Sequence, residues 1–299
     1  MVVGLVGCGR WGQYILRDLL ALGCEVPIVA RSRESRARAE EGGARELVGD
    51  IASLPRVDGV VVAAPTSTHA AVLEDVLELG VPVYCEKPLC DDASAAARLA
   101  ELAPERLFVM DKWRHHPGVL ELAAIARDGR LGAVSGLRTL RVGWGSPHDD
   151  VDPVWVLAPH DLSIALEVMG AVPRAQAAVA QWLDGDAVQL SALLQGDGWW
   201  HALEVSGRSP ERRRRIELIC DDGVAVLAGG WDEHVSVYRE GPDGVEEKRI
   251  ETPGELPLLA ELRAFVEHLG GGPPPRSNAM EGAVIVAAIA GLRRLAGAP

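Results

Sequence analysis

The stretch that decides the fold is MVVGLVGCGRWGQYILRDLL, residues 1–20. An apolar run of strand length, Val2–Val6, leads into a glycine-rich segment, after which a helical pattern continues to Leu22. The segment spells G-x-G-x-x-G between strand and helix, where glycines let the backbone approach a pyrophosphate at the helix N-terminus. We therefore predict a dinucleotide-binding loop, not only a structural turn, with cofactor contacts from Gly7, Gly9, Arg10, Trp11 and Gly12.

Apolar runs of strand length alternate with helical patterns through residue 112. The predicted strands are Val2–Val6, Val26–Ala30, Gly59–Ala64, Val81–Cys85 and Leu107–Met110, and the predicted helices are Trp11–Leu22, Glu34–Glu41, Thr68–Leu79 and Asp92–Leu102. Strands that are apolar throughout are typical of parallel sheets covered on both faces. Residues 1–112 are therefore predicted to form an α/β domain with a doubly wound parallel sheet of the Rossmann type.

The pattern changes after about Leu131 to alternating apolar and polar residues. The predicted strands are Val134–Val142, Ala175–Trp182, Ala187–Gln195, Trp199–Ser206, Arg212–Ile219, Val224–Ala228 and Val235–Arg239, followed by helices at Leu258–Leu269 and Asn278–Leu295. Short Gly/Asp turns favour an antiparallel meander. We predict that residues 113–299 form an α+β domain with an open, mainly antiparallel sheet, and that its C-terminal helix can pack back on the first domain.

Composition limits the partners. A formal net charge of −13 over 299 residues argues against nucleic acid or an anionic membrane as the main partner. The five cysteines lack metal-ligand spacing, so neither a disulfide framework nor a metal site is expected. Every long apolar run is interrupted, and no basic segment precedes one at the N-terminus, so we expect a cytoplasmic protein without a membrane span. The second sheet has a face without an obvious helical cover, and such faces often pair with another copy of the chain. We therefore predict a homodimer or homotetramer.

The turn after the second strand bears on the choice of cofactor. Arg31-Ser32-Arg33 stands where an NAD site usually has an acid that binds the ribose 2′-hydroxyl. A guanidinium pairs well with a phosphate, so Arg31 and Ser32 favour NADP over NAD. The alternative is that these arginines are ordinary surface charges.

Two polar loops follow predicted parallel strands. Ala64–His69, sequence APTSTH, follows one, and Glu86–Leu89, sequence EKPL, follows the next. Ligands of open α/β sheets bind at the carboxyl ends of the strands, where both loops lie. Much later, Pro159–Leu162, sequence PHDL, opens into an apolar helical pattern that ends at Met169.

With these segments the chain resembles the Gfo/Idh/MocA family of NAD(P)-dependent oxidoreductases, which act largely on sugars, inositols and related polyols. The resemblance covers essentially the whole chain. It rests on the glycine loop, APTSTH, EKPL, the segment KWRHHP at 112–117, the segment DGRLG at 128–132, and PHDL.

The resemblance implies that Lys87 reaches the reacting oxygen beside the nicotinamide and that His160 acts as acid and base on that oxygen. It also implies cofactor contacts from Ala64, Pro65, Thr66, His69, Glu86 and Lys87, and substrate contacts from Arg114, His115 and Asp161. A lysine and a histidine also suit this chemistry independently of the resemblance. Removing a hydroxyl proton while hydride leaves its carbon needs a base and a nearby positive charge. The alternatives are a solvent-facing Lys87, and a His160 or Asp161 that caps or packs within the helix.

One position departs from the family pattern. Members commonly carry an Asp four residues before the histidine, where this chain has Val156. His148, Asp149, Asp150 and Asp152 of the preceding loop are candidates to replace that acid. We expect an oxidoreductase that interconverts a hydroxyl and a ketone on a sugar, inositol or similar polyol. The alternative is a dinucleotide-binding sensor or regulatory protein with little turnover, whereas a methyltransferase or flavoprotein is disfavoured by the EKP segment.

Overall fold

The computed structural model describes residues 1–146 and 148–298, which divide into two compact units. The first comprises Met1–Lys112 and Leu256–Val286, and the second comprises Trp113–Glu255 and the residues from Ala287 onward. The second domain was predicted to begin at residue 113, with a C-terminal helix that can pack back on the first domain, and the first unit includes Leu256–Val286. Within the described ranges, no helix is both long enough and apolar enough to cross a bilayer.

The first unit contains a parallel sheet flanked by helices. Its strands are β1 (Val3–Val6), β2 (Pro27–Val29), β3 (Glu46–Val48), β4 (Gly59–Val62), β5 (Val83–Glu86) and β6 (Leu107–Met110), and its first helices are α1 (Gly12–Ala21), α2 (Arg33–Glu41), α3 (His69–Leu77) and α4 (Ala93–Leu102). The six strands lie in the order β3-β2-β1-β4-β5-β6 and pair in parallel. This confirms the predicted Rossmann sheet, whose strand order reverses between β1 and β4.

The second unit contains an eight-stranded sheet. Its strands are β7 (Val134–Trp144), β8 (Arg174–Leu183), β9 (Asp186–Gln195), β10 (Trp200–Ser206), β11 (Arg208–Cys220), β12 (Gly223–Leu227), β13 (His234–Gly241) and β14 (Gly244–Glu251). They lie in the order β14-β13-β12-β11-β7-β10-β9-β8, and only β7 and β10 pair in parallel. The prediction of a mainly antiparallel sheet is confirmed. The simple meander is wrong, because the long connection after β7 leads to edge strand β8, and the antiparallel strands β8, β9 and β10 then return until β10 pairs in parallel with β7.

Two helices, α5 (Pro117–Asp128) and α6 (Pro153–Met169), pack on one face of this sheet. The sequence-based reading missed α5, which has local start and stop signals. The His116 side chain accepts a hydrogen bond from the Gly118 amide at its start, and Gly129 ends it with a φ of 65°. On the opposite face, Val179 and Leu193 are 70% and 54% exposed.

The last helices are α7 (Pro257–Leu269) and α8 (Ala279–Leu295). Leu258, Leu262 and Phe265 of α7 are buried in the core of the first unit. The Phe265 ring lies 5.0 Å from that of Tyr84 on β5, measured between centroids. Burial of this apolar stripe is the physical reason that the segment belongs with the parallel sheet.

One histidine is fully buried in the second unit. His201 on β10 has no exposed surface, and its Nε2 lies 2.9 Å from the Thr139 hydroxyl on β7. Burial lowers the pKa of the His201 imidazole to about 3 from its ordinary value of 6.5. The folded protein therefore holds this ring neutral at pH values where the unfolded chain protonates it.

We expect this histidine to make folding stability depend on pH. Between pH 6.5 and about 3 the unfolded chain binds a proton that the folded chain does not, so stability falls as the pH falls through that window. The contribution is at most about 1.4 kcal/mol per pH unit. His201→Gln should flatten the slope of the unfolding free energy between about pH 7 and 5, measured by urea denaturation.

The matched control is His234→Gln, on partly exposed β13, which should keep the wild-type slope. Equal slopes for wild type and His201→Gln would show that the buried ring does not control the acid sensitivity.

Candidate active site

The glycine loop has the shape that a dinucleotide requires. Gly7 has a φ of +94°, and a Cβ there would lie 2.6 Å from the Ala63 carbonyl oxygen. A Cβ on Gly12 would lie 2.6 Å from the Gly7 carbonyl oxygen, whereas one on Gly9 would meet nothing within 4 Å. Two glycines therefore allow the tight turn, and the third leaves open space beside the backbone at the start of α1. These residues fit a bound pyrophosphate.

A buried histidine ties the next two loops together. The Nε2 of His69 lies 3.0 Å from the Ala64 carbonyl oxygen, and its Nδ1 lies 2.9 Å from the Pro88 carbonyl oxygen. The ring is 1% exposed. Because β1, β4 and β5 are adjacent in the sheet, the glycine loop and both of these loops lie along one edge. His69 thus shapes the predicted cofactor site through the backbone on either side of it.

The EKP segment carries buried charge. The Trp11 indole donates a hydrogen bond to Glu86 Oε1, and the Lys87 backbone amide donates one to Glu86 Oε2 at 3.1 Å. The Lys112 ammonium lies 4.1 Å from the centroid of the Trp11 ring. Burial raises the pKa of the Glu86 carboxyl, and the charges of Lys87 and Lys112 oppose that rise. Sequence reasoning did not single out Lys112 as a site residue, although it lies two residues after the end of strand β6.

The turn after β2 is exposed. The Ser32 hydroxyl accepts a hydrogen bond from the Ser35 amide at 3.1 Å and so caps α2. Arg31 is exposed and lies near Asp50. Hydrogen bonds from Ser53 lower the pKa of the Asp50 carboxyl, and the charge of Arg31 adds to that lowering. Both residues predicted to select the cofactor are therefore accessible, and an acid that the sequence did not reveal is beside Arg31.

Helix α6 of the second unit carries the predicted acid/base. Asp152 caps its start, accepting hydrogen bonds from the Val154 and Trp155 amides, and Gly170 ends it with a φ of 75°. His160 is half-buried, and Val156 is 4% exposed. Residues four apart share a helix face, so the position one turn before the histidine is apolar.

The structure gives two predicted substrate residues partners within the second unit. Arg114 is 8% exposed, and its Nε lies 2.9 Å from Glu167 Oε2. Asp161 is 1% exposed and receives two hydrogen bonds from Arg141, at 2.9 and 3.1 Å. Burial raises the pKa of the Asp161 carboxyl, and the Arg141 guanidinium opposes the rise. These contacts favour structural roles for both residues, whereas His115 is half-buried.

A cavity of about 400 Å³ borders the loop before α6. Asp149, Asp150 and Asp186 lie on its wall, and the His148 Nδ1 is 3.8 Å from an Asp150 oxygen. Asp152 also lies there, but its carboxylate accepts bonds from backbone amides and from Arg293. Asp152, one of the candidates to replace the missing acid, therefore uses its carboxylate to cap α6 and to bind Arg293.

Residues 1–110 match the family model of Gfo/Idh/MocA, described as an oxidoreductase family with an NAD-binding Rossmann fold. UDP-N-acetylglucosamine 3-dehydrogenase of Acidithiobacillus ferrooxidans is 26% identical over 96% of this chain and 95% of its own. Its solved structure matches with a TM-score of 0.85, at 25% identity, covering 99% of this chain and 97% of that one.

One further sequence relative and one further solved structure are similar to this chain. dTDP-3,4-didehydro-2,6-dideoxy-alpha-D-glucose 3-reductase of Streptomyces violaceoruber is 29% identical over 89% of this chain and 84% of its own. A levoglucosan dehydrogenase in complex with NADH and levoglucosan shares the fold, with a TM-score of 0.88 at 15% identity over 99% of this chain and 97% of that one.

The fold, the glycine loop and these relatives together define a dinucleotide-dependent oxidoreductase. The match of residues 1–110 to the Gfo/Idh/MocA family model, together with these relatives, confirms the predicted resemblance.

We expect Gly9→Val to weaken dinucleotide binding without unfolding the protein. Its added carbon would meet nothing within 4 Å in the protein, but the side chain would occupy the space that a pyrophosphate needs. The dissociation constant for NAD, measured by calorimetry, should rise at least about 10-fold, which corresponds to about 1.4 kcal/mol. The midpoint of thermal unfolding should stay within a few degrees.

Gly7→Ala is the contrasting variant, because its carbon would lie 2.6 Å from a backbone oxygen. It should lose stability as well as affinity. Unchanged NAD affinity in a folded Gly9→Val protein would mean that this loop does not hold the dinucleotide.

Proposed function

We propose that this chain is an NAD(P)-dependent oxidoreductase that interconverts a hydroxyl and a ketone on a sugar, inositol or similar polyol. The observation that carries the proposal is the sheet edge of the first unit, where an open glycine loop and the EKP segment follow strands of one parallel sheet. The names of the two relatives aligned over most of the chain support the sugar class, since both are enzymes of nucleotide sugars.

Lys87 and His160 are the residues proposed to act on the reacting oxygen. When bound, the nicotinamide supplies the hydride chemistry. The His160 imidazole accepts the hydroxyl proton in the oxidation direction and returns it in the reduction direction. The Lys87 ammonium stabilises the negative charge that develops on that oxygen. The two residues belong to different units of the chain, so their joint role rests on the family resemblance.

We expect substitution of either residue to slow turnover while the cofactor still binds. Lys87→Met should lower kcat by about 100- to 1,000-fold, as does loss of one preorganised charge donor. His160→Ala should lower it by about 100- to 10,000-fold and flatten the pH profile of kcat/KM between about pH 6 and 8. Both effects should be measured on a panel of polyols and keto-sugars.

The matched control is Lys248→Met, which removes an exposed lysine on β14 and should keep wild-type kinetics. If Lys87→Met and His160→Ala both retain full activity, the chemistry is not performed by this pair. If the wild type binds the cofactor but turns over no polyol or keto-sugar, the buried Val156 in place of an acid favours a sensor of the same fold.

NADP is the cofactor that we propose over NAD. Arg31 and Ser32 are exposed at the turn after β2, where they can contact a 2′-phosphate, and α2 begins directly after them. Calorimetry should give tighter binding for NADPH than for NADH. Arg31→Ala should remove about 1.5–3 kcal/mol of NADPH binding, the range for hydrogen bonds to charged groups, and leave NADH binding nearly unchanged.

An equal loss for both cofactors would place Arg31 outside the 2′-phosphate site, and an NAD preference in the wild type would overturn the assignment. Arg33→Ala, one residue inside α2, is the matched control for a general loss of positive charge.

We also propose that His115 contacts the substrate, that the protein acts in the cytoplasm, and that a second copy covers the open face of the eight-stranded sheet. Val179 and Leu193 support the last point, because they expose apolar surface on adjacent strands of that face. A homodimer or homotetramer would bury them.

A further inference from the structure

Four consecutive arginines, Arg212–Arg215, lie on strand β11 of a chain whose formal net charge is −13. Successive side chains of a strand point to opposite faces of the sheet. Arg213 and Arg215 therefore share one face, and Arg212 and Arg214 share the other. The partners available on the two faces differ.

Arg215 has an acidic partner on its own face. Its Nε lies 2.6 Å from Glu217 Oε1, and Glu217 Oε2 accepts a hydrogen bond from Arg138 at 2.7 Å. Arg215 and Arg138 are both partly exposed, as is common for ion pairs on the surface of a sheet. Ordinary pairing therefore accounts for the charge of Arg215.

The face of Arg214 is the one on which α6 packs. Arg214 stands opposite Arg141 of β7 in the sheet register. The Arg141 guanidinium donates a hydrogen bond to each oxygen of Asp161 on α6, at 2.9 and 3.1 Å. Asp161 directly follows His160, the proposed acid/base. Arg214 therefore lies beside an ion pair that joins the sheet to the helix of His160.

Arg212 lies on the same face as Arg214. Its Cγ is 3.7 Å from the position that a Cβ on Gly143 would take, and Gly143 is two residues after Arg141 on β7. A strand advances about 3.4 Å per residue, so the backbone positions of Arg212 and Arg214 are about 7 Å apart. Two long side chains at that spacing on one face can reach the same small anion.

The Arg214 guanidinium is half-buried and pairs with no carboxylate among the residues that the structure describes. Its Nη1 donates to the carbonyl oxygens of Val142 and Arg213, at 2.7 and 2.8 Å, which leaves Nε and Nη2 as donors. Burial lowers the pKa of the Arg214 side chain to about 10, and the charge of Arg141 adds to that lowering. A bound anion would relieve both effects, because it would supply the missing negative charge.

A large aromatic side chain is exposed beside this pair of arginines. A Cβ on Gly230 would lie 3.7 Å from Arg214 Cγ and 3.0 Å from the Trp113 ring, so the Gly230 backbone packs against both. The next residue, Trp231, is 81% exposed. Trp and Arg are the residues most enriched among those that dominate binding at protein surfaces. The exposed indole is therefore a second indication that a ligand binds here.

We propose that Arg212 and Arg214 bind the phosphoryl group of a phosphorylated sugar. A guanidinium pairs bidentately with phosphate oxygens, and a phosphate monoester carries about −1.5 to −2 charges at pH 7, which suits two guanidiniums better than the single charge of a carboxylate. The Trp231 ring offers an apolar surface for the sugar. That the phosphorylated sugar is the substrate rests on the proposed function, whereas the anion site does not.

Binding of inorganic phosphate tests the site without turnover. It can be followed by ³¹P NMR at fixed ionic strength, with NADH present to occupy the glycine loop. The wild type should bind phosphate, and Arg214→Gln should raise the dissociation constant about 10-fold or more, because it removes charge-assisted hydrogen bonds. Arg213→Gln is the matched control. It removes the same charge from the neighbouring, exposed residue on the opposite face and should keep the wild-type affinity.

Arg212→Gln keeps the test decisive if Arg214→Gln does not fold, because Arg212 is exposed and its replacement should weaken phosphate binding in a folded protein. Absence of phosphate binding in the wild type would overturn the proposal. Equal losses in Arg213→Gln and in the variants of Arg212 and Arg214 would also overturn it, since they would show only an effect of net charge. Phosphate bound in the first unit cannot mimic the expected difference, because all of these proteins share that unit unchanged.

Kinetics test whether the phosphorylated sugar is the substrate. On pairs of sugars that differ only in a phosphoryl group, such as glucose and glucose 1-phosphate, the wild type should give the higher kcat/KM for the phosphorylated member. Arg214→Gln should remove that preference by raising KM about 10-fold or more with little change in kcat, because the phosphoryl group does not react. Arg213→Gln should keep the preference.

The outcomes separate the site from its role. A wild-type preference for the free sugar, or for glucuronate with its carboxylate, would overturn the assignment of a phosphorylated substrate even if phosphate binds at Arg214. If no member of any pair is turned over, the proposed function fails, and the NMR result still decides whether the anion site exists.

Discussion

Two close approaches of the backbone at the end of β1 determine what the sheet edge can hold. A side-chain carbon on Gly7 would lie 2.6 Å from the Ala63 carbonyl oxygen, and one on Gly12 would lie 2.6 Å from the Gly7 carbonyl oxygen. Because no side chain separates these segments, α1 begins directly beside the ends of β1 and β4. The residue at its N-cap, Trp11, is thereby within reach of Glu86 at the end of β5. The requirement for glycine at positions 7 and 12 thus allows the Trp11 ring to contact Glu86 of the EKP segment.

Elements with continuous apolar runs were predictable from the sequence. Strands β1, β4, β5 and β6 are buried throughout, and their composition alone identifies them. Edge strands β3 and β14 were missed because most of their side chains are partly or fully exposed, so their pairing depends on the neighbouring strand and not on their own pattern. Helix α7 was predicted as a helix, but the sheet that it covers is decided by contacts such as Phe265 with Tyr84. Pairings between residues so distant in sequence leave no local signal.

In the candidate site, too, local sequence patterns were predictive and contacts between distant residues were not. The sheet topology explains why APTSTH and EKPL could be assigned to one edge, since both directly follow parallel strands. The ion pair of Arg141 with Asp161 joins residues 20 apart, and that of Arg114 with Glu167 joins residues 53 apart. Neither ion pair can be recognised from composition. The sequence therefore gave no sign that Arg114 and Asp161, which the resemblance assigns to the substrate, have partners within the second unit. The burial of Glu261 on α7 was equally hidden, because in the sequence it is one polar residue among others on an amphipathic helix.

The acids on helix α6 and at its start have partners within the second unit. On α6 and at its start, Asp152 caps the helix, Asp161 pairs with Arg141, and Glu167 pairs with Arg114. Acids on this helix thus maintain the second unit. The first unit instead concentrates Glu86, Asp111 and Glu261 around Lys87 and Lys112. Buried carboxyls of the first unit thus lie at the edge of the parallel sheet, whereas those of α6 serve the structure of the second unit.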